Sequence, residues 1–469
     1  MASQWPASKP DDAGALVDLS TVVVVDLIVL CACAGLILTR GGTSHTHPAV
    51  LYLLFHALVV TARAQGLANG APPFLSGLSG YEVVRPEEIV RAVLYADLAL
   101  IAATVGWVSA KTRMASKGPV MREGNWRPLR TMYVYAVAVV ALPLGVLVFA
   151  LYGFIPGVAK NDSTTSSVTL ALTWPGLMLI ALIYCRGFKS RFLVPLLLYL
   201  GVVALQGYGR FRLIVPLVLL AQIYLDRKGR KWPSLGVAVG LVAAALIFFP
   251  LKQIGRSVQT GEDFGNIGSL VQASIGDAVV GRSGDQVLLD ELAVSLSLTD
   301  QSGKVFLGRP YLNFLVLPIP RVLWENKPGL ADYLQEISKP SRPLDKIGAV
   351  TTLPGDLYLN FRLPGLILLM FLFARLSARL YEAAYRRPYK SVARFGFLVL
   401  SCNLIQIYRD GLISIPFFLL VQMLPLMVIL ALHIPQPRRT AAAALEATQP
   451  PDTVVRRPIA RAQDPGPAL

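Results

Sequence analysis

The chain has 469 residues, of which 54% are hydrophobic and only 15% charged, against about 25% charged in an ordinary soluble domain. A mean hydropathy of +0.56 excludes a water-soluble globule, because so much apolar surface needs a bilayer to cover it. The formal net charge of +16 would suit a nucleic-acid binder, but the Lys and Arg residues cluster between apolar runs, as the positive-inside rule requires, so no nucleic-acid partner is expected.

Lipid offers no partner to an unpaired backbone N–H or C=O, and a hydrocarbon layer about 30 Å thick takes roughly 20 apolar residues, so the spans must be helices. In chain order the apolar runs are 20–38, 48–67, 89–108, 132–155, 168–184, 192–205, 213–225, 235–251, 357–380, 395–407 and 412–432. They predict an all-α polytopic membrane protein with about 11 transmembrane helices, the range being 10–12 because the second, seventh and tenth runs are short or broken by charge. The first run follows an acidic segment with Asp11, Asp12 and Asp18, so it is expected to stay as a span and not to be cleaved as a leader.

Basic residues gather at Lys111–Arg130, at Arg186–Arg191, at Arg227–Lys231, at Arg375–Arg394 and at Arg438–Arg439. With eleven alternating spans all five clusters fall on one side, which the positive-inside rule makes the cytoplasm. The N-terminus is then outside and the C-terminus inside. The chain divides into 1–251 with the first eight helices, 252–356 as a long extracytoplasmic loop, 357–435 with the last three helices, and 436–469 as a Pro/Arg/Ala-rich tail whose composition predicts disorder. No internal repeat is evident, which weakens an inverted-repeat transporter reading. The four cysteines form no zinc or disulfide pattern and read as small buried hydrophobes. His45 and His47 have metal-like spacing but no third ligand nearby, so neither a metal nor another cofactor is predicted.

A loop of this length between membrane helices is seldom idle. Its apolar spacing at Val287, Leu288, Leu289, Leu292, Val294 and Leu296 predicts short helices over the outer mouth of the bundle. Outside segments bring Arg210 and Arg212, Arg282 and Arg321, and Arg409 to the same face. A guanidinium offers a planar fork suited to phosphate, although lipid headgroup contacts or helix capping would use the same residues. The stretch 317–328 is stiffened by two prolines and carries Arg321, Trp324 and Lys327. The stretch 353–365 places Asp356 and Asn360 four apart, on one helix face at the outer boundary. Asp356 reads either as a general base or as the N-cap of the ninth span.

Inside the spans, Asp26 and Asp97 are costly charges, either paired with Arg91 or Arg63 or part of a proton path. Asp277, Asp285, Asp290 and Glu291 read mostly as the solvated face of a loop helix, with Asp285 and Glu291 as reserve bases.

The sequences Arg-Val-Leu-Trp-Glu-Asn-Lys-Pro (321–328) and Gly-Asp-Leu-Tyr-Leu-Asn-Phe-Arg-Leu-Pro-Gly (355–365) resemble the long-loop motifs of bacterial oligosaccharide repeat-unit polymerases, the Wzy-type O-antigen and exopolysaccharide polymerases. Gly209-Arg210, Arg282-Ser283 and Arg409 are similar to arginine positions of that family. The family usually has Glu at the position of Asp356 and Gly at that of Arg362. The resemblance covers about 206–411 and implies a GT-C-like fold in the bacterial cytoplasmic membrane. It implies a metal-independent glycosyltransferase that joins polyprenyl-diphosphate-linked oligosaccharides into O-antigen, capsule or exopolysaccharide, in contact with membrane lipid and beside a flippase and a chain-length regulator. On that reading Asp356 is the base, Arg210, Arg282 and Arg409 stabilise the leaving diphosphate, and Arg212, Arg321, Trp324, Lys327, Tyr358 and Asn360 hold substrate. A ligase passing finished glycan to another acceptor is the first alternative, though such ligases often carry a loop histidine and all four histidines here lie outside the loop. A transporter or flippase of lipid-linked sugar is the second, and an envelope scaffold the third.

Overall fold

The computed structural model describes residues 18–39, 43–73, 82–110, 127–152, 170–205, 211–236, 287–316, 323–324, 326, 328, 332–342 and 350–433. Among these, every regular element is helical and β-pairing is limited to two isolated bridges. The helices are α1 Leu19–Thr39, α2 Pro48–Ala68, α3 Pro86–Ser109, α4 Thr131–Tyr152, α5 Trp174–Arg186, α6 Ser190–Leu205 and α7 Phe211–Arg227. The long-loop region contributes α8 Leu288–Ser302, α9 Arg309–Val316 and α10 Asp332–Gln335. The chain continues with α11 Leu353–Tyr385, α12 Val392–Asp410, α13 Ser414–Phe417 and α14 Leu424–Ala431. A helix thus occupies each predicted run except 235–251, nearly all of which lies outside the described residues, as does the tail 436–469.

Five of the described helices are long and apolar enough to cross a bilayer: α1, α2, α3, the 131–148 part of α4, and α11. Their surfaces fit that environment. On α1, Val24, Ile28, Leu36 and Leu38 are exposed while Val22, Val23, Asp26, Cys33 and Ile37 turn inward. Such an exposed apolar stripe is stable only against lipid. Cys33, Cys185 and Cys402 are buried as expected, whereas Cys31 is exposed on α1.

Two main apolar cores hold the described helices together. One joins α1, α2, α3, α8 and α11, and the other joins α4 to α7 with α14. Helix α12 serves both: Phe395, Leu398, Val399 and Cys402 enter the second core, while Leu404, Ile407 and Tyr408 enter the first. A β-carbon on Gly106 of α3 would stand 2.4 Å from the Phe371 carbonyl of α11, so only glycine permits this approach.

Polar contacts mark two ends. At one, Arg394 grips Asp226 (Nε to Oδ2 3.0 Å), His45 N–H donates to the Lys231 carbonyl (2.9 Å), and Leu129 N–H donates to the Lys390 carbonyl (2.8 Å). The basic clusters of the described residues therefore meet at one end. At the other, α8 meets the end of α2 through Asp290 and Arg63 and the entry to α3 through Ser297 and Glu88, while Tyr333 of α10 meets Thr351 just before α11.

Helix α11 changes direction at Arg362, whose φ of 59° and ψ of −165° interrupt the helix. Pro364 explains the break, since its ring clashes with the Asn360 carbonyl and it has no N–H to offer. The freed carbonyls find loop backbone: Leu307 N–H donates to Asn360 (3.0 Å) and Phe306 N–H to Leu359 (3.4 Å). The proline thereby ties the long-loop region to the entry of α11.

Candidate functional site at the loop end

The segment from Leu353 to Arg362 forms the centre of the loop end. Thr352 is its N-cap residue, which places Asp356 within the helix and not at the cap. The carboxylate of Asp356 is completely buried. Its Oδ2 accepts the Leu412 N–H (2.7 Å) and its Oδ1 accepts Asn360 Nδ2–H (3.0 Å), so it fastens α11 to the turn that follows α12. Asn360 also accepts the Gly308 N–H (3.0 Å) and donates to the Tyr311 hydroxyl (3.2 Å). Burial, with the Asp356 charge close by, pushes the phenols of Tyr311 and Tyr333 above their ordinary range.

The turn after α12 brings further groups to this point. Arg409 donates to Asp410 (2.8 Å), and Gln406 hydrogen-bonds the same carboxylate. Gly411 has a φ of 79°, a conformation that L side chains rarely adopt. A β-carbon there would lie 2.6 Å from both the Asp356 β-carbon and its Oδ2. The sequence Arg409-Asp410-Gly411 thus delivers a cation, an anion and a gap for Asp356 in succession.

From the other side comes α8. Glu291 is almost fully buried, and its Oε2 accepts the Val350 N–H (2.9 Å). Burial pushes its carboxyl up to about 7, the Val350 hydrogen bond and Arg409 opposing the rise and Asp290 and Asp410 adding to it. The neighbouring Asp290 is wholly enclosed and bound by Arg63 of α2, with Nε to Oδ1 at 2.9 Å and a second guanidinium nitrogen to Oδ2 at 2.8 Å. These two acids are therefore not a solvated face, and Arg63 does not serve Asp26 or Asp97. The physical reason is burial: a charge without water must be paired, as Asp290 is by Arg63, or be held in its neutral form, as burial favours for Glu291.

Because the folded protein holds Glu291 protonated to higher pH than the unfolded chain, it binds more protons between about 4.5 and 7. Stability is then greatest below that window and declines as pH rises through it. Glu291→Gln keeps an acceptor for Val350, so its unfolding in detergent should be flatter from pH 5 to 8 than the wild type's; parallel profiles would show that Glu291 does not titrate there.

A second cluster lies beside the first, half open to solvent. Asp300 of α8 pairs with Arg91 of α3 and with Arg362 (2.7 Å), and accepts the Tyr358 hydroxyl (2.6 Å). Arg91 also donates to that hydroxyl (3.1 Å) and lies 5.1 Å over the Tyr95 ring. Arg362 further binds the carbonyls of Thr299 (3.0 Å) and Lys304 (2.7 Å). Two guanidinia against one carboxylate leave a net positive, aromatic-lined surface. Arg91 therefore pairs with Asp300, not with an acid of the spans. The conformation of Arg362 is one that essentially only glycine adopts without strain of about 1–3 kcal/mol. Arg362→Ala should lose the contacts and keep the strain, whereas Arg362→Gly loses the contacts and relieves it. The glycine variant should be the more stable by roughly 1–3 kcal/mol in chemical denaturation, and equal stabilities would mean that the kink carries no strain.

Of the other residues singled out in the sequence, Trp324 is exposed. Arg210, Arg282, Arg321, Lys327, Asp277 and Asp285 lie outside the described residues, and Arg212 opens α7 with its side chain outside the description. Asp26 and Asp97 face a partner that the sequence reading passed over, His56 of α2, with Nε2 2.7 Å from Asp26 and 3.4 Å from Asp97. The signal was available: a histidine within an apolar run is as costly as the aspartates beside it. His47 instead precedes α2 and its ring accepts the Ala49 N–H (3.2 Å). Searches of family models, of curated proteins and of solved structures find nothing that matches this chain.

Proposed function

We propose that the protein is a membrane glycosyltransferase that polymerises polyprenyl-diphosphate-linked oligosaccharide repeat units at the extracytoplasmic face of a bacterial cytoplasmic membrane, with about eleven spans and a GT-C-like layout. One observation carries the reading: residues from distant parts of the chain, Glu291, Asp356 and Arg409, meet beneath the loop helices at the end opposite the basic clusters. By the positive-inside rule that end faces outward.

In this scheme arginines hold the diphosphate of the growing chain, and their fixed charge stabilises it as it departs, commonly by several kcal/mol. Arg409 serves here with Arg210, Arg282 and Arg321; the half-buried pair Arg91 and Arg362, bound to Asp300, offers the same chemistry at the site's edge. A hydroxyl of the incoming repeat unit attacks the anomeric carbon. A new C–O bond forms, the bond to the diphosphate breaks with its electron pair, and the hydroxyl proton passes to a carboxylate. Asp356 and Glu291 are the candidate bases. Because Asp356 is enclosed, its use requires the turn at Gly411 to move. Trp324, Lys327 and Tyr358 orient lipid or sugar, and the scheme needs no metal.

The test is purified protein in proteoliposomes with lipid-linked repeat units, products resolved by size. Wild type should give a ladder, Asp356→Asn should lower polymerisation by about 100-fold or more if it is the base, and Arg409→Lys should shorten the product because a point charge cannot reproduce the fork. Undiminished ladders in both variants would remove this site from the chemistry. A second reading, a carrier of the same lipid-linked glycan, draws on the ionisable residues Asp26, His56 and Asp97 inside the bundle. It predicts movement of substrate between leaflets with no change in size.

A further inference from the structure

We propose that Asp26, His56 and Asp97 form a binding site for one divalent transition-metal ion of the zinc class, buried among α1, α2 and α3. The three residues offer one imidazole nitrogen and two carboxylates whose ligand atoms all lie within 4.8 Å of one another. All are at most 4% exposed. A zinc ion bound tetrahedrally at about 2.0–2.1 Å sets its ligand atoms roughly 3.3 Å apart. Asp97 stands at that separation from His56 (3.4 Å), while Asp26 Oδ1, at hydrogen-bond distance (2.7 Å), would have to open by a few tenths of an ångström to admit the ion.

The hydrogen bonding is incomplete in a way that a cation would complete. Asp26 Oδ2 and both oxygens of Asp97 lack a well-aligned hydrogen-bond donor, the nearest to Asp97 Oδ1 being His56 Nε2 at 3.4 Å. An unpaired buried charge is among the most expensive features a fold can hold. One proton on His56 would leave the cluster with a net negative charge. A divalent ion with neutral imidazole brings it to zero and supplies bonds to the oxygens that lack them.

His56 is the last residue before a π-helical turn, Ala57–Thr61, which widens α2 at that level. It lines a narrow void shared with Leu292 of α8 and with Thr352 and Pro354 at the start of α11. The void is small, about 10 Å³, the room of roughly one water. The inference concerns binding alone and stands apart from the glycan reading.

The experiment uses the full chain in detergent with a tag free of histidine, stripped with EDTA, reloaded with zinc and dialysed. Elemental analysis should find about one zinc per chain. Asp26→Asn, His56→Gln and Asp97→Asn should each lose it, and the double variant His45→Gln, His47→Gln should retain it, which separates the site from the two histidines that precede α2. Should a variant fail to fold, the wild type still decides. Added zinc should raise its melting temperature, and cobalt should give visible absorption bands of a tetrahedral site. Folded wild type with no stoichiometric zinc, no melting shift and no cobalt bands would overturn the proposal and leave the cluster neutralised by protons.

Discussion

Replacing Arg63 by methionine is expected to destabilise the protein by about 3–5 kcal/mol, the usual cost of leaving a buried charge without its partner. Asp290 is wholly enclosed, and Arg63 meets both of its oxygens while also donating to the Pro72 carbonyl (2.9 Å). The pair joins α2 to α8, residues 227 positions apart, so its loss should release the loop helix that carries Glu291. The double variant Arg63→Met, Asp290→Leu should recover most of the loss, because two apolar side chains avoid the desolvation that the ion pair had to offset. Thermal unfolding of the single and double variants in one detergent reads both effects. A double variant as unstable as the single one would mean that the pair acts through hydrogen-bonding specificity and not through charge compensation.

Gly411→Ala should be the most damaging small change at the loop end. The substitution meets two penalties: a φ of 79° and ψ of 178° that L residues rarely adopt, and a β-carbon 2.6 Å from Asp356. Backbone strain of about 1–3 kcal/mol adds to overpacking of similar size, and relief comes most readily by breaking the Leu412 N–H to Asp356 hydrogen bond. Gly70→Ala is the control. Gly70 has a similar φ of 83° but nothing within 4 Å of an added β-carbon, so it reports the backbone cost alone. Gly411→Ala should lose more stability than Gly70→Ala and should also abolish whatever reaction Asp356 supports. Equal losses in the two variants would show that the contact with Asp356 is without consequence.

The positions of the helices were legible because membrane helices announce themselves: a bilayer demands long apolar runs, and prolines and glycines punctuate them. The gathering of basic residues at one end was equally legible from their place between those runs. The companions of the ionisable residues were not. Periodicity tells which face of a helix is apolar, but it does not tell which distant helix will oppose a charge on that face.

Asp26 and Asp97 illustrate the limit. Their cost inside a span is plain from the residues themselves, yet their partner is His56 and not either arginine, since Arg63 and Arg91 are taken by Asp290 and Asp300 of the loop helix. Asp356 illustrates it again. Its spacing from Asn360 is a local fact and survives in a direct hydrogen bond, whereas its use as a staple to Leu412 depends on a glycine 55 positions away allowing the approach.

By itself, then, the sequence determined a helical protein built for lipid, the placement of its apolar helices, and a long polar insertion before α11. The tertiary structure alone decided which charges neutralise one another, that the acids of α8 are buried, and that Asp356 is stapled to the turn after Arg409. The reason is range. Burial of apolar surface is set residue by residue along each helix, but a charge removed from water must be answered by another charge or donor, and only the packing of distant helices determines which one arrives.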